Sequence, residues 1–313
     1  MSYKVLFCGT PLFAVPALAA LVAKPEFEVL KVFTQPDRPS GRGKKLKASP
    51  VKLAALDFNL KVETPEKIST PEIISEIKKQ DYDIAVVVAY GQILSQDFLG
   101  AFKYGCVNIH SSLLPRWRGA APMQRAIMAG DEFTGVSLQK IVKKLDAGDV
   151  IAEKKIEIPT EMGTSLLYST LSQLGASLLV NELPKFLEGS IEPRPQDESQ
   201  ITYAKKIEKS EAFIDWSLSA HEVHNKIRGL DMGGPFATAK FKQKNLKLHK
   251  SVFVESDHTA KPGMVVEVTR ESFNVACGKN EIQLLMVQPE NKAKMNSADF
   301  IRGYHIKEGD CLE

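Results

Sequence analysis

Cysteine is scarce in this chain: 313 residues hold four, Cys8, Cys106, Cys277 and Cys311, with no Cys-x-x-Cys pair. That spacing excludes a disulfide scaffold and a zinc ribbon, and points to isolated buried thiols in a reducing compartment. Long apolar runs are missing too. No stretch reaches the roughly 18 apolar residues that cross a bilayer. The apolar run opening at Val5 is too short for a signal peptide and reads as a first strand. Charge of one sign is not in excess: 41 Lys and Arg stand against 38 Asp and Glu, a net of +3, so only the distribution of charge bears on partners. No Gly-x-Gly-x-x-Gly follows the first strand, and Gly41-Arg42-Gly43-Lys44-Lys45 lacks the spacing and Ser/Thr of a P-loop. A nucleotide held by a Gly-rich turn is therefore not expected. His221-Glu222-Val223-His224 is one residue short of His-Glu-x-x-His and has no third ligand in view. It reads as solvated helix surface, and no metal is expected.

What is present is an ordinary globular composition, 43% apolar and 25% charged, in a chain long enough for one large domain or two ordinary ones. A cytoplasmic location follows as the expectation. The first half alternates strands with helices: strands at Val5 to Cys8, Val29 to Thr34, Ile84 to Ala89 and Gly105 to His110, and helices to about Val22, at Pro50 to Phe58, Thr70 to Lys79 and Ala121 to Ala129. Two further strands, Gly135 to Lys143 and Ile151 to Ile158, bracket a turn at Asp146, and a long helix spans Ser165 to Leu187. This order predicts an α/β fold with a mostly parallel, doubly wound, Rossmann-like sheet. Gly189 to Gln200 carries Pro193 and Pro195 with few apolar residues and reads as a linker. Beyond it come one amphipathic helix, about Ser219 to Arg228, and short alternating runs near Leu246, Met264, Ser272 and Glu281. Short strands with Gly-containing turns predict a small OB-like β-barrel. The domain expectation is residues 1–189, a linker over 190–208, and a second domain over 209–313.

Asn108-Ile109-His110 is the most informative string. Alternation along a strand sends residues i and i+2 to one face, so Asn108 and His110 project together. They stand at the carboxyl end of a predicted strand, where open α/β sheets place their sites. Asp146 sits on a turn beside Gly148 and can supply a carboxylate to the same place. An amide, an imidazole and a carboxylate suit acyl-type transfer: they polarise a carbonyl, hold an oxyanion and remove a proton. Spacing alone also fits a hydrogen-bonded strand end with no chemistry. Trp117, between Arg116 and Arg118, either walls the site or simply packs.

The second strong feature is Gln35 to Lys47. From Lys31 to Lys52, ends included, there are seven basic residues against one acid, Asp37. Charge runs are usually solvated loops. This one leaves the carboxyl end of the second strand, on the rim that carries Asn108 and His110, and a basic arm there suits an acceptor attached to a polyanion. Lys205, Lys206 and Lys209 form another cluster, and OB-type barrels are common nucleic-acid platforms.

The string Asn108-x-His110-x-Ser112-Leu-Leu-Pro115-Arg116-Trp117-Arg118-Gly119-Ala120-Ala121-Pro122, with Leu145-Asp146-x-Gly148-Asp149, resembles the folate-dependent formyltransferases. Gly9 to Ala14, the Gln35 to Lys47 loop, Val86 to Gly91 and Ile214 to Ser217 narrow the resemblance to members that formylate methionyl initiator tRNA. It covers nearly the whole chain. It implies 10-formyltetrahydrofolate as donor, no metal, and Asn108, His110 and Asp146 as catalytic residues. It also implies a folate pocket from Ala89, Tyr90, Gly91, Ile93, Leu94, Ser111, Ser112, Leu113, Leu114, Pro115, Lys143 and Leu145. For tRNA it implies contact by Arg38, Arg42, Lys44, Lys45 and Lys47, with Lys205, Lys206 and Lys209 on the side of the second domain. A monomer outside the membrane is expected. Two departures stand out: Ala147 where members often have Thr, and Arg228 to Pro235 in place of a Pro-Trp-Pro-like segment. Competing readings are an RNA-binding module without chemistry and a formyltransferase acting on a nucleotide sugar or other small amine.

Overall fold

The computed structural model describes residues 2–40 and 45–313. The chain divides into two compact units. The first comprises Met1–Gly119, Thr134–Ile156 and Tyr168–Tyr203; the second comprises Ala120–Phe133, Glu157–Leu167 and Ala204–Glu313.

The first unit is built on seven strands: β1 (Tyr3–Gly9), β2 (Phe27–Phe33), β3 (Val62–Glu63), β4 (Ile84–Val88), β5 (Cys106–His110), β6 (Phe133–Lys140) and β7 (Val150–Glu157). Their order is β7-β6-β5-β4-β1-β2-β3. β1 pairs in parallel with β2 and β4, β2 with β3, and β4 with β5, whereas β5 and β6 are antiparallel. The sheet is thus mostly parallel and Rossmann-like. β4 is buried along its whole length, as a continuous apolar run covered on both faces should be. Helices Pro50–Asp57 and Pro71–Lys79 each begin with Pro, and Ser49 and Thr70 accept bonds from the Lys52 and Ile73 amides. The chain proceeds from β1 outward to β3 and then returns to the other side of β1 with β4. That reversal opens a crevice beyond the carboxyl ends of β1 and β4.

Two first-unit features escape the sequence reading. Arg38–Ser40 and Lys45–Lys47 pair as a small antiparallel hairpin within the basic segment. A ladder made by backbone alone needs no apolar alternation, so composition gave no sign of it. The segment after the helix Thr164–Leu187, read as a linker, is part of the first unit: Val150 of β7 and Arg194 exchange backbone hydrogen bonds at 2.8 Å.

The second unit carries an antiparallel, curled half-barrel sheet. Its strands β8 (Thr238–Phe241), β9 (Lys244–Val254), β10 (Val265–Val268), β11 (Phe273–Ala276) and β12 (Glu281–Pro289) run in the order β8-β9-β12-β11-β10, and β13 (Met295–Asn296) adds to β12. Register breaks between Leu248 and Ser251 bend β9 over a core that includes Trp216, Val223, Ile227, Phe273 and Leu284. Helix Ala220–Gly229 starts in a capping box, Ser219 with Glu222. A closing helix, Ser297–Tyr304, was not foreseen; Asn296 caps it and Phe300 stacks on Phe273 and Tyr304.

His221 is exposed, but His224 is not the surface residue expected: it is buried, with Nε2 donating to the Thr160 carbonyl at 3.1 Å and Nδ1 3.0 Å from the Ser251 hydroxyl. The segment Arg228 to Pro235, singled out in the sequence, has a structural use. Buried Arg228 donates to the carbonyls of Met162 (2.8 Å) and Pro159 (3.3 Å), while Asp231 accepts from the amide and hydroxyl of Ser165 at 2.9 and 2.7 Å.

Candidate active site

β5 carries Asn108, half-buried, and His110, buried, at its carboxyl end. In the antiparallel β5–β6 ladder Asn108 lies opposite Gln139 and His110 opposite Ser137. Directly opposed residues share a face, so Gln139 joins the pair. The turn between β6 and β7 then folds back on the end of β6. A Cβ on Gly148 would sit 1.8 Å from the Lys140 carbonyl oxygen, so only glycine permits that approach. This brings Asp146 to the imidazole.

His110 Nε2 is 2.9 Å from the Trp117 carbonyl oxygen. A carbonyl only accepts, so Nε2 carries the hydrogen, and the lone pair of the neutral ring lies on Nδ1. Nδ1 faces Asp146 Oδ2 at 3.7 Å, which is contact but beyond hydrogen-bond length. The Trp117 backbone, not Asp146, therefore fixes the ring. Trp117 adopts a left-handed φ of 64°, and its amide donates to Thr202 Oγ1 at 2.8 Å. Its indole lies under the Arg116 guanidinium, 4.5 Å from ring centre.

Asp146 is itself left-handed, φ 47°. Its carboxylate accepts from the Gly119 amide at 2.8 Å and from Gln139 Nε2 at 3.1 Å. Gly119, at φ 126°, turns that amide toward it. Gln196 Nε2 donates to the backbone carbonyls of Asp146 (2.9 Å) and Gly148 (2.7 Å), while Gln196 Oε1 accepts from Arg118 Nε and Nη2 at 3.0 and 2.7 Å. Sequence reasoning missed Gln139 and Gln196. Strand pairing could have placed the first; the second lies in apparent linker.

The loop after β4 borders the switch-point crevice. Thr10 Oγ1 and Gln35 Nε2 donate to the Tyr90 carbonyl at 2.8 and 3.2 Å, and Gln92 bridges the Ile68 amide and Pro65 carbonyl. Ala89 and Gly91 are exposed with φ 47° and 90°. Leu94 is half-buried, whereas the pinned loop leaves Ile93 94% exposed. The Tyr90 ring is buried instead, and burial raises the pKa of its hydroxyl. Lys143 and Leu145 are exposed on the Asp146 turn. Ser111, Ser112 and Leu114 are buried and Leu113 and Pro115 half-buried; Ser112 Oγ donates to the Arg116 carbonyl at 2.6 Å and Ser137 Oγ bonds the Ser112 carbonyl and Leu114 amide. That string is thus a tight turn supporting His110.

The basic segment is less free than its composition implies. Lys31 is buried against Glu63 and Glu76, Lys52 pairs with Asp37 at 2.8 Å, and Arg38 pairs with Glu66 at 2.6 Å, exposed. Lys45 and Lys47 are exposed, as are Lys205, Lys206 and Lys209 in the second unit. Arg42 and Lys44 lie outside the described residues.

Two family models match: formyl transferase over residues 2–183, and formyl transferase, C-terminal domain, over 206–305. The methionyl-tRNA formyltransferase of Bdellovibrio bacteriovorus is 50% identical across 99% of this chain and 98% of its own. That of Bacillus subtilis is 42% identical, covering 99% and 97%. Among solved structures, the sugar 3N-formyl transferase WlaRD, studied with dTDP and 5-N-formyl-THF, has a TM-score of 0.67 at 21% identity, covering 94% of this chain and 100% of its own. HypX from Aquifex aeolicus, in complex with tetrahydrofolic acid, reaches 0.62 at 17%, covering 100% and 51%. A sheet that sets Asn108, His110 and Asp146 around one crevice, and matches along both halves of the sequence, place this chain in the formyl transferase family.

Proposed function

We infer that this chain transfers the formyl group of 10-formyltetrahydrofolate to the α-amine of methionyl initiator tRNA, giving N-formylmethionyl-tRNA for translation initiation. The observation that carries the acceptor is identity above 40% along the whole length to relatives bearing that activity in their names. The observation that supports the chemistry is the orientation of His110, whose Nδ1 lone pair faces Asp146 beside Asn108.

An α-amine titrates near 7.7–8.0 in model peptides, so a fair fraction is neutral in the cell. The amine nitrogen attacks the formyl carbon, and the carbonyl electron pair moves to oxygen. The Asn108 amide donates to that oxyanion in any protonation state. His110 Nδ1 accepts the ammonium proton, stabilised by the Asp146 carboxylate. As an N–H it supports the oxyanion and then passes the proton to folate N10 as the C–N10 bond breaks. The pterin fits the crevice beside Ala89, Tyr90, Gly91, Ile93 and Leu94, with the Ser111 to Pro115 turn beneath and Lys143 and Leu145 at its edge. Exposed Ile93 on a pinned loop is apolar surface that a flat ring can cover.

Residues 1–189 would carry the chemistry and 209–313 the tRNA, with 190–208 joining them. Arg38, Arg42, Lys44, Lys45 and Lys47 would track the acceptor-stem phosphates, and Lys205, Lys206 and Lys209 would do so from the second unit. We further take the protein to act as a cytoplasmic monomer.

The test is formyl transfer from 10-formyltetrahydrofolate to methionyl initiator tRNA, with free methionine and an amino-sugar nucleotide as alternatives. Rapid formylation of the tRNA alone is expected. Formylation of the sugar nucleotide instead would overturn the acceptor; transfer to none would overturn the enzyme.

A further inference from the structure

Asp146 is held in a conformation that a non-glycine residue rarely adopts, and its carboxylate still points at His110. Something must over-determine that geometry. Three side chains, Arg118, Gln196 and Gln139, form a hydrogen-bonded chain that ends on it. Arg118 is 1% exposed, and among the described residues its guanidinium has one side-chain partner, Gln196 Oε1; Nη1 has none. A guanidinium only donates, so the Gln196 amide has one possible orientation: oxygen toward Arg118, N–H groups away. The far side agrees, because the Asp146 and Gly148 carbonyls only accept. The two Gln196 hydrogens thus clamp both ends of the strained turn. Gln196 Nε2 is also 3.4 Å from Gln139 Oε1, a weaker third contact that turns the Gln139 N–H toward Asp146 Oδ1.

We propose that Gln196, oriented by the buried cation Arg118, and Gln139 are positioning residues that fix the Asp146 turn and carboxylate against His110. The chain of donors has one polarity. A positive charge stands at one end and a carboxylate at the other, and both amides between them aim oxygen at the cation and hydrogen at the anion. Groups so aligned polarise one another. Gln139 acts on the carboxylate directly, and Gln196 acts through the backbone. None of the three side chains needs to touch substrate. This inference rests on the formyl-transfer reading for its kinetic consequence, but not for its structural one.

Gln196→Glu separates the roles. The new carboxylate pairs better with Arg118, so a role confined to satisfying that cation is kept or improved, yet it has no hydrogen to give the Asp146 and Gly148 carbonyls. Gln139→Leu removes the donor to Asp146 while leaving Arg118 and Gln196 paired. For both variants, thermal melting checks folding, and kcat and KM are measured for donor and acceptor. Partners that orient metal-ligating side chains from behind typically shift activity about 10–100-fold, and an effect of that order is taken as the yardstick for partners that orient a catalytic carboxylate. The expected result is a fall in kcat of that size, with both KM values within about twofold of native. Native kcat in either folded variant, or a defect confined to KM, overturns the proposal. If Gln196→Glu does not fold, Gln139→Leu decides alone.

A second readout needs no turnover: the imidazole ¹⁵N signals of His110, assigned among six histidines by single substitution. They shift in both variants if Asp146 moves relative to Nδ1. Unchanged signals overturn the positioning role even where the acceptor proves to be something else. Shifted signals in a protein that formylates no tRNA would support the positioning and sink only the acceptor reading.

Discussion

In the proposed reaction, Asn108 and His110 divide the work at the residue scale by what each can donate or accept. The Asn108 side chain is half-buried and carries no charge to titrate, so its N–H is ready for an oxyanion without a preceding proton transfer. His110 has one nitrogen committed to the Trp117 carbonyl, which leaves Nδ1 as the atom the proposed proton transfer would use. Loss of one oxyanion donor typically costs about 10²–10³ in turnover. Asn108→Ala should therefore lower kcat by about that factor with donor and acceptor KM near native. Steady-state kinetics with each substrate varied in turn is the check, and a defect confined to KM would reassign Asn108 to binding.

At the element scale, helix ends and turns give a use to residues whose local sequence suggests none. The segment Arg228 to Pro235 places Asp231 where its carboxylate accepts from the Ser165 amide, in the first turn of the helix Thr164–Leu187. That is an N-cap supplied from another part of the chain, and the negative charge also suits the helix dipole. A Cβ on Gly163 would meet Asp231 Oδ2 at 2.1 Å, so the glycine keeps that approach open. Asp231→Ala should cost about 1 kcal/mol, the usual value of a cap, and leave folate binding unchanged. Denaturant titration beside a folate-binding isotherm reads both.

For the whole molecule, pH and salt are the levers. Burial pushes the His224 imidazole below its ordinary value of 6.5, and burial does the same to His249. A histidine held neutral in the folded state contributes stability that is present above 6.5 and is lost as pH falls, because the unfolded chain takes up the proton first. Arg125 lowers Glu211 to about 2, so its contribution is lost only from about 4.5 downward. Melting temperature should thus drop between pH 7 and 5, and His224→Gln should flatten that slope. A slope unchanged in the variant would assign it elsewhere. Salt reports on the acceptor. Removing one cation from a phosphate lowers the slope of log K against log[salt] by roughly 0.7–0.9. Lys47→Ala and Lys206→Ala should each weaken tRNA binding and flatten that dependence, without effect on folate. Arg38→Ala should do less, since Glu66 already faces it.

The amino-acid order by itself determined the alternation of strands and helices, the mostly parallel sheet, the second antiparallel unit, and the string Asn108 to Pro122. Those are local properties: apolar period, Pro and Ser/Thr at helix starts, and residue types at fixed short spacing. Tertiary structure decided what depends on distant partners. The hairpin in the basic segment is held by backbone bonds that composition does not encode. His224 looked like helix surface because its local sequence is polar, and it is buried because Ser251 and Thr160 close over it. Gln196 lies 50 residues from Asp146 in a stretch whose composition reads as linker, yet it clamps the turn beside His110. Hydrogen-bond satisfaction of buried polar groups is a property of the folded chain as a whole, and no window of sequence contains it.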